Sequence, residues 1–301
     1  MRALFAALTA FALTVLLIGG YRRIAERTGW LKPNVVGRRI PVGTGVVLPF
    51  AWLFSLPFGL TPAVTFDGLH DISIDASFAA PTRLAASFEA LALTAAFIGW
   101  LDDAFGETAI KGIGGHIRRL FTTGKPTTGV MKLLLYPPLG ALAAARVGAS
   151  PVFGALAFAA LAHGLNLLDT RPLRALKGFF ILYAIVFTPT LAAAPIAERP
   201  PLPVLAGSLI ALCGDDRRMR GMIGEAGVAV LALVLLERLW AAPPEIGFSV
   251  VFGLAALAAL SERRSLSDVI VRSRVLSAVD RLGLERPLAQ DEGRTVRRPN
   301  A

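Results

Sequence analysis

Nine apolar stretches separated by shorter polar ones run along most of the chain, at 3–20, 44–60, 84–101, 129–147, 151–168, 178–195, 202–213, 222–240 and 246–262. Most approach the roughly 20 residues that an α-helix needs to cross a bilayer, and 202–213 is the shortest. None alternates apolar and polar residues with period two, so none reads as a barrel strand. Inside lipid a helix is what remains, because it satisfies its own backbone polar groups. The pattern predicts an all-α, polytopic membrane bundle of about nine transmembrane helices over residues 1–262.

The first stretch has the length of a secretory leader. Its leading segment holds only Arg2, no convincing Ala-x-Ala site follows, and YRRIAER lies directly behind it. A retained first helix is therefore expected. Beyond the ninth stretch, residues 263–285 turn amphipathic. Leu266, Val269, Ile270, Leu276, Val279 and Leu282 fall near one face, with Arg272, Arg274 and Arg281 largely away from it. Ser265 and Asp268 have capping-box spacing. This predicts one helix, either lying in the membrane interface or packed on the bundle. Residues 286–301 are polar and predict a disordered tail. The segment 61–83, with Asp67, Asp71 and Asp75, reads as a connector.

Composition agrees with the pattern. Of the 301 residues 54% are hydrophobic and 17% charged, where a soluble domain carries roughly a quarter charged residues. The single cysteine, Cys213, excludes an internal disulfide. The net charge of +10 is informative through its placement. Segments 21–43, 102–128, 169–177, 214–221 and 263–301 hold 25 of the 31 lysines and arginines. The positive-inside rule then sets the N-terminus outside and the C-terminus in the cytoplasm. The charge is thereby explained by topology, and no nucleic-acid partner is expected.

The expected cytoplasmic side also collects the acids. GWLDD ends the third stretch with Asp102 and Asp103, NLLD ends the fifth with Asp169, CGDDRR carries Asp215 and Asp216, and Glu225 follows. Adjacent carboxylates repel and are costly to desolvate at a membrane boundary, so a cation is expected beside them. Each residue also has a plainer reading. An acidic pair at a helix end is commonly solvated or paired with arginine, and Asn166 suits a bond between helices. The glycines of KGIGGHIRR and VGTG suit turns as well as phosphate loops. His116 and His163 lack metal-ligand spacing, and no Walker, G-x-S-x-G or H-E-x-x-H motif occurs. The residues alone support an oxygen-rich site suited to Mg²⁺, beside basic groups suited to phosphates.

Taken in order, several stretches resemble the polyprenyl-phosphate sugar-1-phosphate transferase superfamily, which includes phospho-N-acetylmuramoyl-pentapeptide transferase. The resemblance runs from KPNVVGRRIPVGTG to the ninth stretch. GRRIPVGTG is similar to the family's first cytoplasmic loop, GWLDD to its aspartate pair, and GKPTTGVMKLLL to the segment holding its lysine. HGLNLLD is similar to its Asn-x-x-Asp motif, and RGMIGEAGVAVLA to its Gly-Asp-x-Gly stretch. The resemblance implies a plasma-membrane enzyme with a cytoplasmic site, loading a sugar-1-phosphate from a UDP-sugar onto polyprenyl phosphate with Mg²⁺ and releasing UMP, in cell-envelope precursor synthesis. It assigns catalysis to Asp102, Asp103, Lys132 and Asp169, and substrate binding to Asn166, Arg38, Arg39 and Arg171. It assigns the metal to Glu225 and Asp102, and leaves a homodimer open.

The sequence also departs from that pattern. Asp169 is followed by TRPLRALK where the family continues Asp-Gly-x-Asp-Gly. Glu225 stands where the family has aspartate, no histidine follows His163, and a tenth apolar stretch is absent. A degenerate homologue that binds polyprenyl phosphate or a membrane partner without turnover is the alternative. A transporter fits less well, because transporters place ionisable sites near the membrane midplane.

Overall fold

The computed structural model describes residues 2–59, 79–106, 112–190, 201–263 and 265–284. Its twelve helices are α1 (Arg2–Thr28), α2 (Val47–Gly59), α3 (Ala79–Phe105), α4 (Gly112–Thr123), α5 (Thr128–Arg146), α6 (Pro151–Leu168), α7 (Arg174–Phe187), α8 (Leu202–Arg217), α9 (Gly224–Leu239), α10 (Pro244–Ser261), α11 (Leu266–Arg272) and α12 (Arg274–Arg281). The described residues are all-α apart from a short antiparallel ribbon of β1 (Leu31–Pro33) and β2 (Arg39–Pro41). Each of the nine apolar stretches contains one helix, while α4, α11 and α12 occupy polar intervals. The predicted tail at 286–301 and Asp67, Asp71 and Asp75 lie outside the described residues.

Four helices, α1, α5, α6 and α10, are long and apolar enough to cross a membrane. Their outward faces are apolar too, with Leu16, Leu134, Leu156 and Phe252 all more than half exposed. Water disfavours such a continuous apolar exterior, and lipid does not. The protein is therefore built for a membrane.

The bundle is organised around α9. A helix that is apolar on every side must be buried, and GVAVLALVLL has no polar face: every residue from Gly224 to Leu236 is buried. Helices α3, α6 and α7 pack on it, as does the 3₁₀ turn Thr44–Val46. Two contacts with α9 are so close that a side chain is excluded. A Cβ on Gly45 would lie 2.2 Å from the Gly227 Cα, and one on Gly99 would lie 2.6 Å from the Ala226 Cα. The glycine of VGTG thus serves backbone packing, which explains its presence without a phosphate. On the far side of the bundle, α1 packs on α8 and α2. The buried Trp52 indole of α2 donates to the Ser208 hydroxyl of α8 across 3.1 Å.

The single helix expected over 263–285 is instead two, α11 and α12, separated by the extended Ser273. Ser265 makes no side-chain cap bond; Ser273 accepts from the Leu276 N–H and caps α12. The pair packs on the bundle through Arg174. Arg174 donates to both carboxylate oxygens of Asp280, at 2.8 and 2.6 Å, and to the Ser267 hydroxyl at 3.0 Å. The Lys177 ammonium donates to the Asp280 carbonyl.

Candidate functional site

The five basic segments meet at one end of the bundle. Arg22 donates to Asp215 at 3.0 Å, Lys32 stands 3.9 Å from Asp103, and the Leu173 N–H donates to Asp216 at 2.5 Å. With the Arg174–Asp280 pair, these contacts join segments far apart in sequence around the N-terminus of α9.

That N-terminus is where the predicted acids converge. The first N–H groups of a helix have no partner within it, and they carry partial positive charge. Asp103, at the end of α3, accepts from the Glu225 N–H at 3.1 Å and the Ala226 N–H at 3.0 Å. Asp169, at the end of α6, accepts from the Gly224 N–H at 2.9 Å. Burial pushes the Asp169 carboxyl up to about 8, with the like charge of Asp216 adding to it. The loop 41–46 completes the collar: the Thr44 N–H donates to the Met222 carbonyl and the Gly45 N–H to the Ile223 carbonyl.

Asp102 and Glu225 do something different. One ammonium, Lys132 in the second turn of α5, lies 3.1 Å from Asp102 Oδ2 and 3.2 Å from Glu225 Oε2. Glu225 Oε1 accepts from the Tyr136 hydroxyl at 3.2 Å, one turn further along α5. Two carboxylates from α3 and α9 therefore already hold a cation between them. Hard oxygen donors in this arrangement fit Mg²⁺, which takes one or two carboxylates and fills its remaining positions with water and substrate phosphate. Among the described residues no group of three or more metal-ligating His, Cys, Asp or Glu side chains is gathered.

Two cavities flank the α9 N-terminus. One, of about 260 Å³, is lined by Lys132, Tyr136, Asn166, Glu225, His116 and His163. Pro137 is part of its wall and, with Pro138, lies inside α5. The two prolines remove the helix bonds to the Leu133 and Leu134 carbonyls. The other cavity, of about 570 Å³, includes Lys32, Asn34, Asp169, Arg171, Thr170 and Asp216. Asn166 and Asp169 thus face opposite cavities despite their spacing of three. Arg38 and Arg39 lie on the exposed side of the ribbon, where Arg39 donates to the Leu31 carbonyl. Neither lines either cavity.

The sequence reading passed over Lys32, Tyr136 and the cavity position of both histidines. Tyr136 was within reach, since four residues after Lys132 is the same helix face. His116, on α4, is held by the Thr127 hydroxyl at 2.9 Å and meets the cavity only through tertiary packing. No protein-family model matches the chain, and no curated protein matches it.

Proposed function

We propose that the protein is a glycosyl-1-phosphate transferase of the bilayer, transferring a sugar-1-phosphate from a UDP-sugar to polyprenyl phosphate and releasing UMP. In this reading all nine apolar helices span the plasma membrane with the N-terminus outside, and the α9 N-terminus faces the cytoplasm. The gathering of the five basic segments at one end supports that orientation. The observation that carries the functional reading is the half-buried Lys132 ammonium held between Asp102 and Glu225, on the wall of a cavity.

Asp102 and Glu225 would hold Mg²⁺, which supplies charge neutralisation to the phosphoryl oxygens when bound. Lys132 then turns its ammonium to the diphosphate, with Asn166 donating from α6. Asp103 and Asp169 act by fixing the α9 N-terminus, and so the position of Glu225. Arg171 and Lys32 give the second cavity a basic wall for an anionic substrate, while Arg38 and Arg39 lie outside it on the exposed ribbon.

One observation favours the second reading, binding without turnover: Asp103 and Asp169 already accept backbone N–H groups, leaving only two carboxylates on the cation. A single assay separates the two. Purified protein is incubated with polyprenyl phosphate, Mg²⁺ and a panel of UDP-sugars, and UMP is followed. UMP release that requires lipid, metal and one sugar nucleotide supports the transferase. Retention of polyprenyl phosphate with no UMP from any donor supports the binding protein.

A further inference from the structure

A groove of about 380 Å³ lies between α7 and α8, apart from the two cavities at the α9 N-terminus. Its apolar wall includes Leu176, Phe180 and Ile210, and its cations are Lys177, Arg217 and Arg218. The start of α7 and the end of α8 adjoin, as the Leu173–Asp216 bond requires. At 1.5 Å per residue, Ile210 sits roughly 10 Å further along its helix than Arg217. The groove therefore runs from a cationic mouth into an apolar trough. Phe180 and Ile210 are 45% and 64% exposed, so the trough opens outward to the bundle's surroundings.

Lys177 is already engaged by the Asp280 carbonyl, so the charge open to a ligand at the mouth is that of Arg217 and Arg218. Asp216 is engaged by the Leu173 N–H, Asp215 by Arg22, and Asp280 by Arg174. Among the described residues no carboxylate forms an ion pair with Arg217 or Arg218, and both are exposed. A cationic mouth continuous with an apolar, outward-facing trough matches one ligand chemistry: a phosphate joined to an acyl chain.

We propose that this groove binds an anionic glycerophospholipid, its phosphate between Arg217 and Arg218 and its chain along Leu176, Phe180 and Ile210. The proposal needs the membrane location and is independent of the transferase reading. Leu173 and Gly283 also line the groove, so an occupied groove braces the C-terminal helices against the loop that carries Asp169.

Native mass spectrometry of the full chain in neutral detergent tests it, with phosphatidylglycerol or phosphatidylcholine of identical chains added. Wild type is expected to retain phosphatidylglycerol in preference to phosphatidylcholine. Removing two cations with R217Q/R218Q should weaken that retention on the order of 25-fold, since each cation near an anionic lipid is worth about fivefold. R23Q/R27Q removes equal charge from exposed positions on α1 and should leave retention unchanged. Ile210→Trp fills the trough with every cation in place and should abolish retention, which keeps the test decisive if R217Q/R218Q folds poorly. Equal retention of both lipids, equal loss in R23Q/R27Q, or displacement by millimolar inorganic phosphate would overturn the proposal. So would a dimer replacing the lipid adduct in wild type.

Discussion

The aspartate pair divides its labour because neighbouring helix residues point about 100° apart. Asp102 turns to Lys132 and Asp103 to the α9 backbone, so the two cannot share a ligand face. The sequence made the pair legible as unusual, and the expectation of a cation beside it. The division was not legible, because it depends on where α9 ends. Lys132 and Lys125 show the same logic: the first is part-buried between acids, and the second is exposed before α5. If UMP release is observed, Lys132→Ala is expected to remove nearly all of it, while Lys125→Ala keeps it near wild type. Comparable losses in both would deny Lys132 its role. Glu225 gives a sharper contrast. Shortening it by one methylene draws its carboxylate away from the point it shares with Asp102, so Glu225→Asp should weaken Mg²⁺ binding, by roughly 10-fold if the change resembles other disturbances around a metal. A Mg²⁺ titration followed by thermal stability reads this directly, and tighter binding in the variant would mean the site is not adapted to glutamate.

At the scale of elements, the apolar positions after residue 263 were readable as a helix face, but the break at Ser273 was not. In the basic run RPLRALK, Arg174 is 4% exposed and its partner lies 106 residues away. No local pattern encodes such a pair. Burial alone would raise the Asp280 carboxyl; the hydrogen bonds and charge of Arg174, with Lys177 and Arg171 nearby, outweigh it and hold it below the ordinary 3.8. A depressed carboxylate stabilises the fold above its unfolded value and loses that contribution as pH falls through the folded one. Docking of α11 and α12 is therefore expected to hold from neutral pH down to about 4 and to weaken below it. Asp280→Asn leaves a buried guanidinium without its carboxylate, at a cost of about 3–5 kcal/mol. Limited proteolysis should then cut the C-terminal segment readily at neutral pH, where wild type resists. A variant as resistant as wild type would show that the pair contributes little to docking.

The whole molecule was the most legible level. Each of the nine apolar stretches contains an α-helix, and four of these helices are long and apolar enough to cross a membrane; the polar-free 228–236 run identifies the helix that ends up central. Its neighbours could not be read, since helix order in a bundle depends on close approaches such as Gly45 on Gly227, which a composition count does not register. Orientation is a separate matter and is open to test. With Cys213 replaced, single cysteines at Val36, Val147 or Val275 present exposed thiols. A membrane-impermeant maleimide on intact cells is expected to label position 147 alone, and all three after permeabilisation. Labelling of 36 or 275 in intact cells would reverse the topology.

The collar around the α9 N-terminus has a consequence for how the chain is made. Asp103 and Asp169 find their backbone partners 122 and 55 residues downstream. During synthesis both carboxylates are therefore made before the helix that satisfies them, while Lys132 already has Asp102 as a partner. Helices α3 and α6 carry unmatched carboxylates until α9 packs among them. A chain interrupted before Gly224 leaves both carboxylates without their backbone partners.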